Sequence, residues 1–257
     1  MSTPSPVALP ANSVREQVSD AEWQARVDLA ACYRLVALEG WTDLTATHIS
    51  ARVPGEDAFL LNPLDVLFEE ITASSLVKMD FQRNKLLENG YSFNPAGFTI
   101  HSAVLSGRPD VVSALHTHTV NGMAISAIET GLLPITQHAL MFYDNLGYHD
   151  YEGIALDQNE CQRLIDDLGQ AEGMILRNHG LLTVGKSVAS AFVAMYYLEK
   201  SCASQLQAMQ TGAKLVIPSA EVCRHTRQQY SLYESEADDD WPTMLRRVDR
   251  ELPGYAV

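Results

Sequence analysis

Two histidines separated by a single residue, His116 and His118, follow an apolar run and could bind one metal ion. Side chains of a β-strand alternate between its faces. Both imidazoles would therefore project from one face, with Cβ atoms about 6–7 Å apart, and Thr117 would point the other way. The chain has 8 histidines, and a pair at this spacing also arises by chance. The pair alone leaves both a metal site and two ordinary strand residues open.

A third histidine, His179, favours the metal site. It lies between Asn178 and Gly180, directly after the apolar segment "GMILR", and a turn at a strand end would project its side chain into a cleft. Gly180 would supply the backbone freedom that such a turn needs. Three imidazoles with one coordination position left open form a catalytic rather than a structural arrangement. All-imidazole ligation suits Zn²⁺, with Fe²⁺, Mn²⁺ or Co²⁺ as alternatives.

Hydrophobic periodicity predicts helices and strands in irregular alternation around these histidines. A helix begins at Ser19 or Asp20, which can cap it, and ends at Gly40. Further helices are predicted at residues 98–107, 120–131, 159–170 and 187–212. Strands are predicted at residues 44–53, 58–63, 75–80, 110–119 and on both sides of the turn within 173–185, with a strand or loop at 151–158. This pattern indicates one α/β domain with a mixed sheet.

The 257 residues are enough for one large domain with a well-filled core. We predict a flexible N-terminal arm at residues 1–19, a folded domain at 20–215, and a C-terminal helix and tail at 216–257 packed on the same domain. The arm lacks the positive region and the apolar core of a secretory signal. The 4 cysteines form no C-x-x-C pair, which fits a reducing compartment.

The formal net charge of -14 limits the partners of this chain. An acidic chain without a basic stripe repels phosphate backbones and anionic lipid surfaces, so nucleic-acid and membrane binding are disfavoured. No apolar run reaches the length of a membrane span. We therefore expect a soluble, cytoplasmic protein.

Five segments together resemble the class II aldolase/adducin family from about residue 20 to 215: "THISARV", "LLNPLDVLFEEITASSLVKMD", "NPAGFTIHSAVLSGRPDVVSALHTHT", "GLLPI" and "LRNHGLLTVG". The resemblance implies a three-layer α/β/α fold with a central, mainly antiparallel mixed sheet. It also implies a homotetramer with active sites at subunit interfaces, acting on a small molecule. His116, His118 and His179 would be the ligands of a divalent metal, with Zn²⁺ the first choice.

The chain departs from the family's sugar-phosphate aldolases where those enzymes move a proton and bind phosphate. They have a glutamate four residues before a helix histidine, here His101, and Gly97 occupies that glutamate's place. Glycine cannot transfer a proton. Thr47 and His48 replace one phosphate-binding pair, and a Leu-Asp pair ending at Asp65 replaces another. The carboxylate of Asp65 would repel a phosphate.

The residue that would transfer a proton stays open. Four side chains in loops or at strand ends are candidates, although an ordinary structural role is also consistent with each: His48, His138, Tyr143 and Tyr148. The motifs that resemble the family imply four residues of a substrate pocket: Thr47, His48, Asn62 and Asn94. His101 is expected to be packed or exposed, and His225 to lie on the surface.

Three functions are consistent with these observations. The first is a metal-dependent lyase that acts on a small, non-phosphorylated oxo- or hydroxy-compound by aldol cleavage or decarboxylation. Decarboxylation needs no base to begin carbon–carbon cleavage, so it tolerates Gly97 better than aldol cleavage does. The second is a non-catalytic, adducin-like oligomeric interaction module, because "NPAGF" and "TASSLVK" resemble that branch more closely. The third is a histidine-ligated Fe(II) oxygenase.

Overall fold

A seven-stranded sheet forms the centre of the computed structural model, which describes residues 14–153, 160–232 and 236–257. In chain order its strands are β1 (His48–Arg52), β2 (Ala58–Leu61), β3 (Val77–Asp80), β4 (Ser113–Thr117), β5 (Leu146–His149), β6 (Gly173–Leu176) and β7 (Gly180–Gly185). Their spatial order is β3-β2-β1-β4-β7-β6-β5. Every neighbouring pair is antiparallel except β5 with β6. The predicted mainly antiparallel mixed sheet is confirmed.

Helices flank this sheet along the described part of the chain. They are α1 (Asp20–Leu38), α2 (Pro95–Gly107), α3 (Val120–Ser126), α4 (Gln137–Leu140), α5 (Glu160–Leu168), α6 (Val188–Gln210), α7 (Ala220–Leu232) and α8 (Glu236–Glu251). The side chain of Ser19 caps α1 by accepting from the N–H of Glu22, as the sequence predicted. Asn94 caps α2 in the same way.

Strand residues alternate between two apolar clusters, one on each face of the sheet. On β4, Leu115 belongs to the cluster formed with α1 and α6, whereas Ala114 belongs to the cluster formed with α2 and α5. Leu181 and Leu182 on β7 divide between the clusters in the same manner. Because helices cover both faces, the three-layer α/β/α architecture is confirmed.

Some elements differ from the sequence prediction. Strand β5 and helix α4 were not predicted, because β5 (LGYH) contains one aliphatic residue and a glycine, and α4 is a single helical turn. Residues 216–257 contain two helices, α7 and α8, where the weakening pattern predicted one. Residues 154–159 of the predicted strand or loop, and residues 1–13 of the predicted arm, lie outside the described residues. Among the described residues, no helix is long and apolar enough to cross a membrane.

The C-terminal tail packs against α1 and the loop before β3. The guanidinium of Arg34 on α1 donates to the carbonyl oxygens of Leu252 and Pro253, at 3.2 and 2.7 Å. The backbone N–H of Ala73 donates to the carbonyl oxygen of Tyr255 at 2.8 Å. These hydrogen bonds attach the segment after α8 to the layer that contains α1.

A buried ion cluster joins α1 to β3. Glu22 accepts from Arg26 at 2.8 Å and from Lys78 at 2.7 Å, and Lys78 also pairs with Glu56 at 2.7 Å. Arg26 is fully buried, and its guanidinium also donates to backbone carbonyls of the loop before β3. Glu22 therefore compensates two cations, one of which has no access to water.

We expect Glu22→Gln to lower the free energy of unfolding by about 3–5 kcal/mol, because the charge of Arg26 would remain buried without a carboxylate. Glu56→Gln is the matched control. That carboxylate pairs with the same lysine but is 44% exposed, so its loss should cost about 0–1 kcal/mol. Urea unfolding followed by circular dichroism measures both changes. Equal losses in the two variants would contradict the role assigned to Glu22.

Candidate metal centre

Three histidine Nε2 atoms converge at one end of β4. Nε2 of His118 lies 2.9 Å from Nε2 of His116 and 2.9 Å from Nε2 of His179. One ligand atom from each residue lies within 4.8 Å of the others. His116 is buried, whereas His118 and His179 are partly exposed, so the group opens to solvent. The structure thus brings together the three histidines that the sequence predicted as one group, and we call them the triad.

Strand register positions the first two members of the triad. β4 lies between β1 and β7, and His116 is directly opposite His48 on β1. His118 follows the last residue of β4. Thr117 points to the other face, where its hydroxyl donates to the sulfur of Met195. The two histidines therefore share one face of the sheet, as the alternation of strand side chains predicts.

The turn that presents His179 differs from the prediction in one respect. Asn178 has a left-handed conformation, with φ of 56°, and the N–H of His179 donates to the carbonyl oxygen of Leu176 at 3.1 Å. Gly180 does not have a positive φ. A Cβ at Gly180 would lie 2.4 Å from the carbonyl oxygen of Thr117. The prediction that Gly180 supplies backbone freedom is therefore wrong: glycine is needed there because the backbone of β4 lies so close.

Hydrogen bonds at Nδ1 fix two of the three imidazoles. Nδ1 of His116 donates to the carbonyl oxygen of Leu181 at 2.9 Å, and Nδ1 of His118 donates to the carboxylate of Asp43 at 2.9 Å. Both partners only accept, so in each neutral ring the proton is on Nδ1 and Nε2 has a lone pair. Two lone pairs that face each other at 2.9 Å repel, and a cation between them would remove the repulsion. The donor set therefore fits a divalent metal ion.

Burial favours the protonation state that a metal requires in two members of the triad, His116 and His179. It lowers the pKa of His179 to about 4, and it holds the pKa of His116 well below the usual value. Neighbouring histidines lower both pKa values further. A neutral imidazole is the form that binds a metal, so these two rings need not lose a proton at neutral pH.

A chain of buried polar side chains adjoins the triad. The ring of His48 packs against His116, with centroids 4.9 Å apart, and its Nδ1 lies 2.7 Å from Nε2 of His101 on α2. Nδ1 of His101 is hydrogen-bonded to the hydroxyl of Ser50. His48 and Ser50 are two residues apart on β1 and so share one face. The chain Ser50–His101–His48 thus ends beside the triad.

Gly97 provides the space that the His48 ring occupies. A Cβ at Gly97, in the first turn of α2, would lie 2.8 Å from Cδ2 and 2.9 Å from Cγ of His48. Such distances require the ring to move. A glutamate at this position, which the family resemblance implies for the sugar-phosphate aldolases, and the observed position of His48 therefore exclude each other.

The other three candidates for proton transfer have structural surroundings. The ring of His138 stacks on Tyr197 with centroids 4.6 Å apart. The hydroxyl of Tyr148 accepts from the backbone N–H of Leu132 at 3.1 Å. Tyr143 is half-buried in the turn after α4. Within the described part of the chain, none of these three forms a hydrogen bond or ring contact with the triad, which leaves His48 as the candidate that the geometry supports.

The predicted pocket residues have different surroundings. Asn94 accepts from two backbone N–H groups in the first turn of α2, and so acts as a helix cap. Asn62 is buried and accepts from the hydroxyl of Tyr33 at 3.0 Å. Thr47 is buried next to His48, and its hydroxyl has no partner among the described residues. Of the four pocket candidates, His48 is the one that contacts the triad.

Sequence reasoning missed the roles of three residues: Asp43, Ser50 and His101. Ser50 could have been predicted, because it lies two residues from His48 in a predicted strand and its side chain must share that face. His101 was expected to be packed or exposed, and it is fully buried with both ring nitrogens paired. Asp43 left no signal, because it lies in a loop 75 residues before His118.

Comparison with known proteins identifies the family. Residues 27–206 match the model of the Class II Aldolase and Adducin N-terminal domain, which is more than half of the chain. The chain therefore belongs to the class II aldolase/adducin family, and the resemblance inferred from the motifs is confirmed.

Individual relatives include an aldolase and an adducin. A solved aldolase II superfamily protein from Pseudomonas syringae is 45% identical, with a TM-score of 0.91 over 95% of this chain and 100% of that one. The L-fuculose 1-phosphate aldolase from Glaciozyma antarctica is 25% identical, with a TM-score of 0.80 over 98% of this chain and 97% of that one. Alpha-adducin of Mus musculus is 43% identical over 212 residues, which cover 79% of this chain and 29% of adducin.

We expect Gly97→Ala to lower the free energy of unfolding by about 1–3 kcal/mol, because the added Cβ overlaps the His48 ring. In a His48→Ala background the overlap is gone, and the same substitution should no longer destabilise, since alanine is the better helix former. Urea unfolding of the four proteins completes a double-mutant cycle. Additive effects would show that His48 does not pack on Gly97.

Proposed function

We propose that this chain is a metal-dependent carbon–carbon lyase that acts on a small, non-phosphorylated oxo- or hydroxy-compound by aldol cleavage or decarboxylation. The main support is the convergence of three imidazole Nε2 atoms on one point that opens to solvent. Membership of a family that includes class II aldolases supports the same reaction type.

His116, His118 and His179 would hold the metal through Nε2. A bound divalent ion acts as a Lewis acid that stabilises negative charge on a substrate oxygen. The carbonyl oxygen of Leu181 and the carboxylate of Asp43 hold two of the rings in place, so the ligands need little rearrangement. We propose Zn²⁺ as the metal, with Fe²⁺, Mn²⁺ or Co²⁺ as alternatives, because all three ligands are imidazoles.

Asp65 supports a substrate that has no phosphate group, and Gly97 bears on the type of reaction. Asp65 is exposed, with φ of 64°, in the loop where the family resemblance implied a phosphate-binding pair. Its negative charge would disfavour a phosphate there. Gly97 cannot move a proton, and decarboxylation tolerates that loss better than aldol cleavage does.

An adducin-like module without catalysis is the second candidate, and the 43% identity to alpha-adducin favours it. The triad would then have no role in turnover. The two candidates make opposite predictions for His116→Ala: a module keeps its partner binding in that variant, whereas a lyase loses its reaction.

The proposal includes a homo-oligomer, with a homotetramer as the expected form, in the cytoplasm. Two large exposed apolar side chains support a subunit interface beside the triad. Leu44 follows Asp43, the hydrogen-bond partner of His118, and is 78% exposed. Val120, two residues after His118, is 77% exposed. Light scattering after size-exclusion chromatography measures the state of assembly.

We expect the zinc-loaded chain to retain about one metal ion after dialysis and His179→Ala to lose most of it, because two imidazoles chelate far less tightly than three. His225→Ala is the matched control, since that histidine is exposed on α7. Mass spectrometry of the metal content measures all three proteins. Full occupancy in His179→Ala would contradict the assignment of that ligand.

The lyase proposal also predicts turnover by the zinc-loaded chain of at least one compound in a panel of non-phosphorylated oxo-acids, hydroxy-acids and hydroxyketones. His179→Ala should reduce the rate by about 100-fold or more, because the Lewis acid contributes several kcal/mol. Liquid chromatography with mass spectrometry detects the cleaved products. If the loaded wild-type chain converts nothing while its assembly persists, the non-catalytic module is the better account.

A further inference from the structure

A buried hydroxyl sets the direction of the hydrogen-bond chain beside the triad. Ser50 is fully buried, and its hydroxyl meets Nδ1 of His101. Across the described residues, Oγ of Ser50 has no second hydrogen-bond partner. A buried O–H without an acceptor is unfavourable, so the hydroxyl must donate its proton to Nδ1 of His101 rather than accept one from it.

This direction extends from His101 to His48. Because Nδ1 of His101 accepts, the proton of this neutral ring is on Nε2, which donates to Nδ1 of His48 at 2.7 Å. His48 then has its own proton on Nε2. In this arrangement each ring has one nitrogen that accepts and one that carries the proton, so both rings are neutral. The opposite direction would leave the Ser50 proton unpaired.

The Nε2–H group of His48 is the free end of this chain. The ring of His48 packs against His116, with centroids 4.9 Å apart, and its Cγ and Cδ2 face Gly97. Its Nδ1 accepts a hydrogen bond from His101. Nε2 is therefore the remaining polar atom of the ring, and it forms no hydrogen bond within the described part of the chain. A donor without a partner, held beside a candidate metal centre, is suited to bind an oxygen atom of a ligand.

The charge of the site favours an anionic oxygen as that ligand. Three neutral imidazoles would leave both positive charges of a divalent ion uncompensated. Among the groups paired with the triad, Asp43 supplies one negative charge, behind His118. A carboxylate on the substrate would offset the remaining charge, and its hydrogen bond from an N–H donor is stronger than that of a neutral oxygen.

We propose that Ser50 and His101 hold His48 as a neutral Nε2–H donor that binds an anionic substrate oxygen beside the metal, and that the substrates are α-oxo or α-hydroxy carboxylates. This inference rests on the proposed function and narrows its substrate class. Ser50 and His101 are positioning residues, since they act through His48. Gly97 leaves room for the His48 ring, whereas a glutamate at this position would place a hydrogen-bond acceptor there.

The position of the proton on His48 can be measured directly. Solid-state nitrogen-15 NMR of the zinc-loaded, histidine-labelled chain should show a neutral His48 ring protonated on Nε2, with the signal assigned by its loss in His48→Phe. Ser50→Ala should shift this ring towards a mixture of tautomers. Ser113→Ala is the matched control. It removes another buried hydroxyl, which donates to the backbone of Ser50 but does not belong to the Ser50–His101–His48 hydrogen-bond chain. A proton on Nδ1 of His48, or on both nitrogens, would overturn the inference.

Oxalate, a chelating dicarboxylate, tests the substrate class in calorimetric titrations of the zinc-loaded proteins. His48→Phe keeps a planar ring but loses the donor, so it should bind oxalate about 10- to 100-fold more weakly than the wild type does. Ser113→Ala should bind as the wild type does, and inorganic phosphate should bind more weakly than oxalate.

The outcomes separate this inference from the function on which it rests. Equal oxalate affinity in wild type and His48→Phe, both with zinc bound, would overturn the role of His48 and leave the metal assignment intact. Tighter binding of phosphate than of oxalate would overturn the substrate class. Failure of the wild-type chain to hold zinc would overturn the proposed function itself.

Discussion

The convergence of three imidazole Nε2 atoms is the constraint on which the site depends. Nδ1 of His116 and Nδ1 of His118 are both committed to acceptors, so their Nε2 atoms face each other as lone pairs 2.9 Å apart. The central strands β1, β4 and β7 and the turn at Asn178 fix this geometry. A cation would relieve the repulsion, which couples metal binding to the stability of these strands.

A second constraint links Gly97 to His48. The ring fills the space that a side chain at position 97 of α2 would need, so a larger residue there requires the ring to move. Relative to the pattern that the family resemblance implies for sugar-phosphate aldolases, the chain thus shows an exchange rather than a simple loss. The glutamate, a hydrogen-bond acceptor, is replaced by Gly97 on α2. His48 on β1, a hydrogen-bond donor oriented by His101 and Ser50, lies beside the triad instead.

Much of the site could be predicted from short-range patterns, and the rest depends on contacts between distant segments. The alternation of strand side chains predicted the shared face of His116 and His118, and the motifs predicted that His179 would join them. The role of Gly180 could not be derived, because the carbonyl oxygen that it approaches belongs to another strand. Asp43 was not predicted for the same reason, and β5, with one aliphatic residue and a glycine, showed no clear hydrophobic pattern.

The central claim is that one metal ion lies between the three Nε2 atoms. Anomalous diffraction at the zinc absorption edge, from crystals of the zinc-loaded chain, tests it most directly. The account predicts a single strong peak about 2.0–2.1 Å from Nε2 of His116, His118 and His179. A fully loaded crystal with its peak elsewhere, or with fewer than three of these nitrogens in contact, would contradict the account.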